Sequence, residues 1–118
     1  MANLREHVNN LNQEIMKGNI LGAFEQYYAE DCQMKEPGKE PRVGKDANRE
    51  YEKGFVDAVD EWHNVQVRNV AVDEKNNTSA VEWSMDFTMG GNRLQREQVA
   101  VQEWKNGKIA KETFYYNG

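Results

Sequence analysis

Hydrophobic and polar positions alternate most strictly near the end of the chain. There Val81, Trp83, Met85, Phe87 and Met89 are interleaved with Glu82, Ser84, Asp86 and Thr88. A period of two predicts a strand with one buried and one wet face, here from Thr78 onward. Gly90-Gly91-Asn92 interrupts the pattern, and a second run extends from Arg93 to Trp104. Asn106-Gly107 then supplies a hairpin signal, because a type I′ turn needs positive φ at both central positions. Lys108 to Tyr116 is the third strand of this antiparallel set.

The earlier segments read as a cover for these strands. Leu4, Val8, Leu11 and Ile15 form one stripe of an amphipathic helix, with Gly18 placed as its C′ residue and Asn19 as the N-cap of a second helix. That second helix carries Ile20, Leu21, Phe24, Tyr27 and Tyr28 and ends near Ala29. Cys32 to Glu36 predicts a short extended piece, stopped by Pro37, and Pro37 to Pro41 a loop. A third helix is expected over about 46–59, with Ala47, Tyr51, Phe55 and Val59 on its apolar face. Trp62 to Asp73 reads as a strand whose phase shifts between Val67 and Val70, which predicts a bulge near Arg68-Asn69. Both N-terminal helices are too short to stand alone and must pack on the sheet. The expected class is α+β, with segregated helices on one face of a mostly antiparallel sheet.

Composition narrows the functional classes. A chain of 118 residues with 30% charged and 38% hydrophobic residues is one globular domain, 1–118, with a single core. Its formal net charge of -5 and the lack of a basic stripe argue against nucleic-acid binding, which rests on clustered Lys and Arg. No run approaches the roughly 18 apolar residues of a membrane span, and the start shows no apolar signal region. A single cysteine, Cys32, suits a reducing cytoplasm. His7, His63 and Cys32 give no zinc-type ligand spacing, and neither a phosphate loop nor a dinucleotide fingerprint is present, so no metal or cofactor is expected.

Several short pieces, in order and spacing, resemble one family. They are Tyr28-Ala29-Glu30-Asp31, Glu36-Pro37, Gly44 at the start of the third helix, and Trp104 to Ile109 across the last hairpin. Together they resemble the SnoaL-like polyketide cyclase branch of the nuclear transport factor 2-like (cystatin-like cone) superfamily over nearly the whole chain. The resemblance implies three helices packed on a strongly curved sheet that forms a cone, and a homodimer through the outer sheet face. It implies a small-molecule pocket in a superfamily that includes ketosteroid isomerase, cyclases, epoxide hydrolases and dehydratases. Ketosteroid isomerase needs a carboxylate base and two acidic hydrogen-bond donors. The matching positions here are Glu36, about Leu11 and about Ala100, so only one keeps a suitable group and the isomerase assignment fails.

The family register also implies which side chains face the cone. Trp83, Met85 and Phe87 face inward by this register, as the alternation alone already indicates. Glu112, Phe114 and Tyr116 follow on the last strand. On the strand before it, the register turns Gln98, Ala100 and Gln102 inward, whereas hydropathy favours Val99 and Val101. A slip of one residue flips every side chain.

Three titratable residues are candidates for catalysis. Glu36, turned inward against aromatic rings, would be desolvated toward the range useful to a general base; the plainer alternative is a solvated loop acid beside Lys35 and Lys39. Glu112 on a buried face needs a partner, for which Arg96, Gln98 or His63 could serve. His63 follows Trp62 and is a natural proton shuttle, or an ordinary surface histidine. Tyr28, Met34, Phe55, Trp62, Trp83, Met85, Phe87, Gln98, Gln102, Phe114 and Tyr116 are the candidate ligand-binding residues, unless the aromatic side chains fill the cone. The expected function is binding of a small, largely apolar molecule, with cofactor-free acid-base chemistry or, alternatively, with none.

Overall fold

The computed structural model describes residues 3–117. Helix α1 spans Leu4–Met16, and the Asn3 side chain caps it by accepting from the Glu6 backbone N–H at 2.9 Å. Gly18 follows with φ of 91°, and Asn19 N–H returns to the Glu14 carbonyl, which closes the helix with a left-handed turn. Helix α2 spans Ile20–Tyr27. Asn19 stands at its N-cap position, but its amide donates to the Glu14 carboxylate at 2.9 Å instead of capping α2. Both helices turn their apolar stripes to the sheet, and Val8 and Leu11 are fully buried. Burial of side chains this size contributes roughly 1.5–3 kcal/mol each.

Strand β1 (Tyr28–Lys35) begins where α2 ends, four residues earlier than the expected extended piece and without a linker. The loop after Pro37 leads to a two-residue strand, β2 (Arg42–Val43), that the pattern did not foreshadow, and then to α3 (Lys45–Ala58). Asn48, fully buried, fastens this corner: its Nδ2 donates to the carbonyls of Arg42, Gly44 and Cys32, and its Oδ1 accepts from Arg42 Nε at 3.1 Å. The inward face of α3 therefore runs through Asn48, Glu52 and Phe55. Ala47 and Tyr51, expected on that face, are exposed. One residue of offset rotates a helix by about 100°, enough to exchange the wet and packed faces.

The remaining strands are β3 (Val59–Asp73), β4 (Thr78–Met89), β5 (Asn92–Lys105) and β6 (Lys108–Tyr116). They build one six-stranded sheet of order β2-β1-β6-β5-β4-β3, antiparallel except for the parallel pairing of β1 with β6. Asn106 and Gly107 both adopt positive φ (54° and 76°), as the β5–β6 hairpin requires. Register shifts in β3 fall at Val59/Glu61, Trp62/Asn64 and Val67/Asn69. Each inserts an unpaired residue, so that Trp62, Val65, Val67, Val70 and Val72 all pair with inward residues of β4 despite their uneven spacing. Bulges bend and twist the strand that carries them, and here they curl the sheet's concave face around the helices.

Candidate functional site

The concave face settles the orientation of β5. Gln98, Ala100 and Gln102 are buried, while Val99 and Val101 are only partly so. Pairing explains it: Gln98 lies opposite Trp83 and Ala100 opposite Val81, and directly paired residues share a face. The polar side chains that hydropathy would have turned outward are thus the ones that meet inside the cone.

What they meet is a buried hydrogen-bond chain. Trp104 Nε1 donates to Ser79 Oγ at 2.9 Å, Ser79 Oγ donates to Gln102 Oε1 at 2.6 Å, and Gln102 Nε2 donates to Glu112 Oε2 at 2.8 Å. The indole N–H can only donate. Its hydrogen bond forces Ser79 to accept there and to pass its own proton on, which leaves the Gln102 amide N–H₂ facing Glu112. The other carboxylate oxygen accepts from the Tyr28 hydroxyl at 2.5 Å. Arg96, Gln98 and His63 do not hold Glu112; a tyrosine and a glutamine, Tyr28 and Gln102, do. Glu112 is 2% exposed, and burial pushes its pKa up to about 7 against the lowering effect of its two donors. Desolvation and the neighbouring Glu112 likewise push the Tyr28 hydroxyl well above its ordinary range, so it remains a donor.

Glu36 is 7% exposed and belongs to the same cavity. Arg42 Nη2 donates to its Oε2 at 3.0 Å and Tyr116 OH to its Oε1 at 2.7 Å, so neither oxygen is the solvated loop acid of the plainer reading. Burial followed by the Glu36 hydrogen bond raises the Tyr116 pKa.

The cavity between the helices and the sheet has a volume of about 120 Å³. Tyr28, Met34, Phe55, Trp62, Trp83 and Met85 contribute to its wall, as do Gln98, Gln102 and Phe114. Leu11 and Ala100 line it as well, at the two positions where the isomerase comparison required acidic donors. Three expected residues stand elsewhere. Phe87 is fully buried behind the wall, its ring centroid 5.9 Å from that of Phe55 and 5.3 Å from that of Trp62. Tyr116 does not line the cavity and meets the site through two residues that do, Glu36 and Arg96. His63 falls on the bulge between Trp62 and Asn64, which turns it to the outer face, where it meets Thr88 Oγ1 at 2.7 Å and Glu61 at 3.2 Å.

Two further charged residues stand in the wall: Glu52, which the sequence did not single out, and Arg96, named only as a possible partner for Glu112. Glu52 projects from α3 with no hydrogen bond or ion pair among the described residues, and its pKa is raised to about 7 by desolvation first, then by Glu112 and Glu36. The residue retains partial exposure because the cavity itself reaches it. Its spacing from Asn48 and Phe55, i+4 and i−3, was the available signal. Arg96 projects from β5 opposite Met85. Among the described residues no group of three His, Cys, Asp or Glu side chains is arranged to hold a metal ion, and no helix is long and apolar enough to cross a membrane.

Comparison with known proteins agrees with this architecture. The profile of the SnoaL-like domain matches residues 5–112, and the chain belongs to the SnoaL-like family. A solved structure from Mesorhizobium loti, described as a SnoaL-like polyketide cyclase, shares 27% identity and superposes with a TM-score of 0.86, covering 98% of this chain and 100% of the other. SalBIII, an epoxide hydrolase/cyclase-like enzyme with a role in pyran ring formation in polyether salinomycin, has the same fold at 21% identity and a TM-score of 0.79, covering 97% and 90%. A Bacillus subtilis protein described as an isomerase shares it at 18% identity and a TM-score of 0.78, covering 95% and 84%. No curated protein matches the chain.

Proposed function

We propose that the chain binds a small, largely apolar molecule in the cavity and moves a proton on it without a cofactor, in an isomerisation, cyclisation or hydration. One observation carries this reading: Glu52, an acid without a hydrogen-bond partner among the described residues, shares an aromatic-walled cavity with Glu112, an acid held at both oxygens. Two carboxyl groups close to neutrality in one desolvated space divide the roles of base and acid between them. Glu52, free to approach a ligand, takes a proton from a carbon beside a carbonyl. Glu112, oriented by Tyr28 and Gln102, donates in its protonated form to the carbonyl oxygen. Glu36 holds Arg42 and Tyr116 in place. His63 has no part, since it faces away.

Tryptophan fluorescence, reporting from Trp62 and Trp83, tests binding with small cyclic ketones, and proton transfer is tested by solvent-deuterium exchange beside their carbonyl. The reading expects a saturable fluorescence change and exchange that Glu52→Gln abolishes. Saturable binding without exchange would return the protein to a non-catalytic binding module, and no binding would remove the ligand site as well.

The family reading also proposes a homodimer through the outer sheet face and residence in a reducing, cytoplasmic compartment, consistent with a buried free Cys32. A monomer mass by sedimentation at micromolar concentration would contradict the dimer.

A further inference from the structure

Arg96 is an inward-facing cation without an acid partner among the described residues. Its guanidinium carbon lies 4.1 Å from the centroid of Tyr116 and 5.6 Å from that of Phe87, seated on the faces of two rings. Arg42, Arg49, Arg68 and Arg93 each have a carboxylate within ion-pair distance, whereas Arg96 has neither an ion pair nor a hydrogen bond among the described residues. Glu36, an acid of the same wall, has both oxygens engaged by Arg42 and Tyr116. The same Tyr116 hydroxyl contact fixes the ring on which Arg96 rests. A guanidinium presents its donors as a fork that matches a carboxylate with two parallel hydrogen bonds. Here the fork stands at the wall of an aromatic cavity and is engaged by no group among the described residues.

We infer that Arg96 anchors the carboxylate of the ligand, so that the occupant of the cavity is a small monocyclic carboxylic acid in its anionic form. This inference rests on the cavity being the ligand site. Size limits the apolar body to a single ring at most: an apolar cavity of roughly 150 Å³ accommodates benzene, and this one is about 120 Å³. The rings of Phe55, Trp62, Trp83 and Phe114 receive the apolar body, and Arg96 the anionic end.

The other charged and titratable groups in and beside the cavity come from β1, β2, α3 and β6. Arg42 on β2 is committed to Glu36 at the end of β1. Tyr28 on β1, Tyr51 on α3 and Tyr116 on β6 all have raised pKa values and remain neutral phenols. Glu52 on α3 and Glu112 on β6 oppose an anion when ionised and stop doing so once protonated. Affinity for the carboxylate therefore strengthens as pH falls through about 7.

Fluorescence titration of the intact protein with benzoate and cyclohexanecarboxylate, each against its uncharged amide, tests the anchor at about pH 6 and about pH 8. The acids should bind at least about tenfold tighter than the amides at the lower pH, the least that a charge-assisted pair provides. That preference should shrink at the higher pH. Arg96→Gln should erase it, bringing acid and amide to equal affinity, and Arg96→Lys should retain part of it, since a point charge keeps attraction without the fork. Equal binding of acid and amide to the native protein would overturn the anchor and leave the cavity standing. If neither class binds, the anchor and the ligand site fall together. The native comparison does not depend on either variant folding.

Discussion

Glu112 and Tyr28 are 84 positions apart and joined by a 2.5 Å hydrogen bond in the buried part of the cone. The contact exists because β1 lies parallel beside β6, the one parallel pairing of the sheet, with Met34 opposite Glu112 and Tyr28 opposite Ile109. It fixes one oxygen of the acid, and Gln102 fixes the other. An acid so held has a defined direction toward the cavity, which Glu52 opposite it does not.

Gln102→Leu should destabilise the protein by about 1–3 kcal/mol, since it removes the donor to Glu112 and the acceptor for Ser79 while preserving volume. Urea denaturation measures it. Ser79→Ala should act on the same chain by leaving the Trp104 indole without an acceptor. The double variant should then cost less than the sum of the single ones, because both break one network.

Stability should depend on Glu112 with a sign opposite to that of a salt-bridged acid. Below about pH 4.5 the group is protonated in both states, and between that value and about 7 the folded protein retains a proton that the unfolded chain has lost. The contribution to stability therefore declines as pH rises through this window and is level above it. Glu112→Gln removes the decline, so its pH profile from thermal unfolding should be flatter than the parent's between these limits. An equally steep profile would show that Glu112 titrates in its ordinary range.

Glu52→Gln should be nearly neutral at low pH and stabilising above about pH 7, where the parent must hold a desolvated charge without a partner. Nothing is orphaned by the change, in contrast to Glu112→Gln, whose single amide oxygen can accept from only one of Tyr28 and the Gln102 amide. Chemical denaturation at the two pH extremes separates the two variants.

His63→Ala should leave ligand binding unchanged and alter stability by no more than about 0.5 kcal/mol, as surface substitutions usually do. A large loss of binding would mean that the β3 bulge carries His63 into the site in solution.

The alternation in β4 and the Asn106-Gly107 turn were legible because each obeys one local rule. The inward face of β5 was not, since the reason lies on other strands: Ser79 and Glu112 supply the partners of Gln102, and Gln98 lies opposite the inward Trp83. Local hydropathy scores a glutamine as wet and cannot see a buried acceptor 10 residues away on β6. The family register did see it. Glu52 was missed because the α3 stripe was read one residue out, through Tyr51 instead of Asn48 and Glu52. The bulge that turns His63 outward had a signal too, the three-residue step from Trp62 to Val65, of the same kind as the step from Val67 to Val70 that marked Arg68-Asn69. Of the candidate site, the aromatic wall followed from composition and alternation, while the pairing of the charges depended on contacts across distant strands.

The measurement that bears most directly on the account is a pH titration of the glutamate side-chain carboxyl carbons by NMR on protein labelled at those positions. The account predicts two carboxyl resonances titrating near pH 7, assigned to Glu52 and Glu112 by their loss in Glu52→Gln and Glu112→Gln. If every glutamate instead titrates in the ordinary range near 4.5, the cavity does not hold its acids close to neutrality and the proton-transfer reading is contradicted.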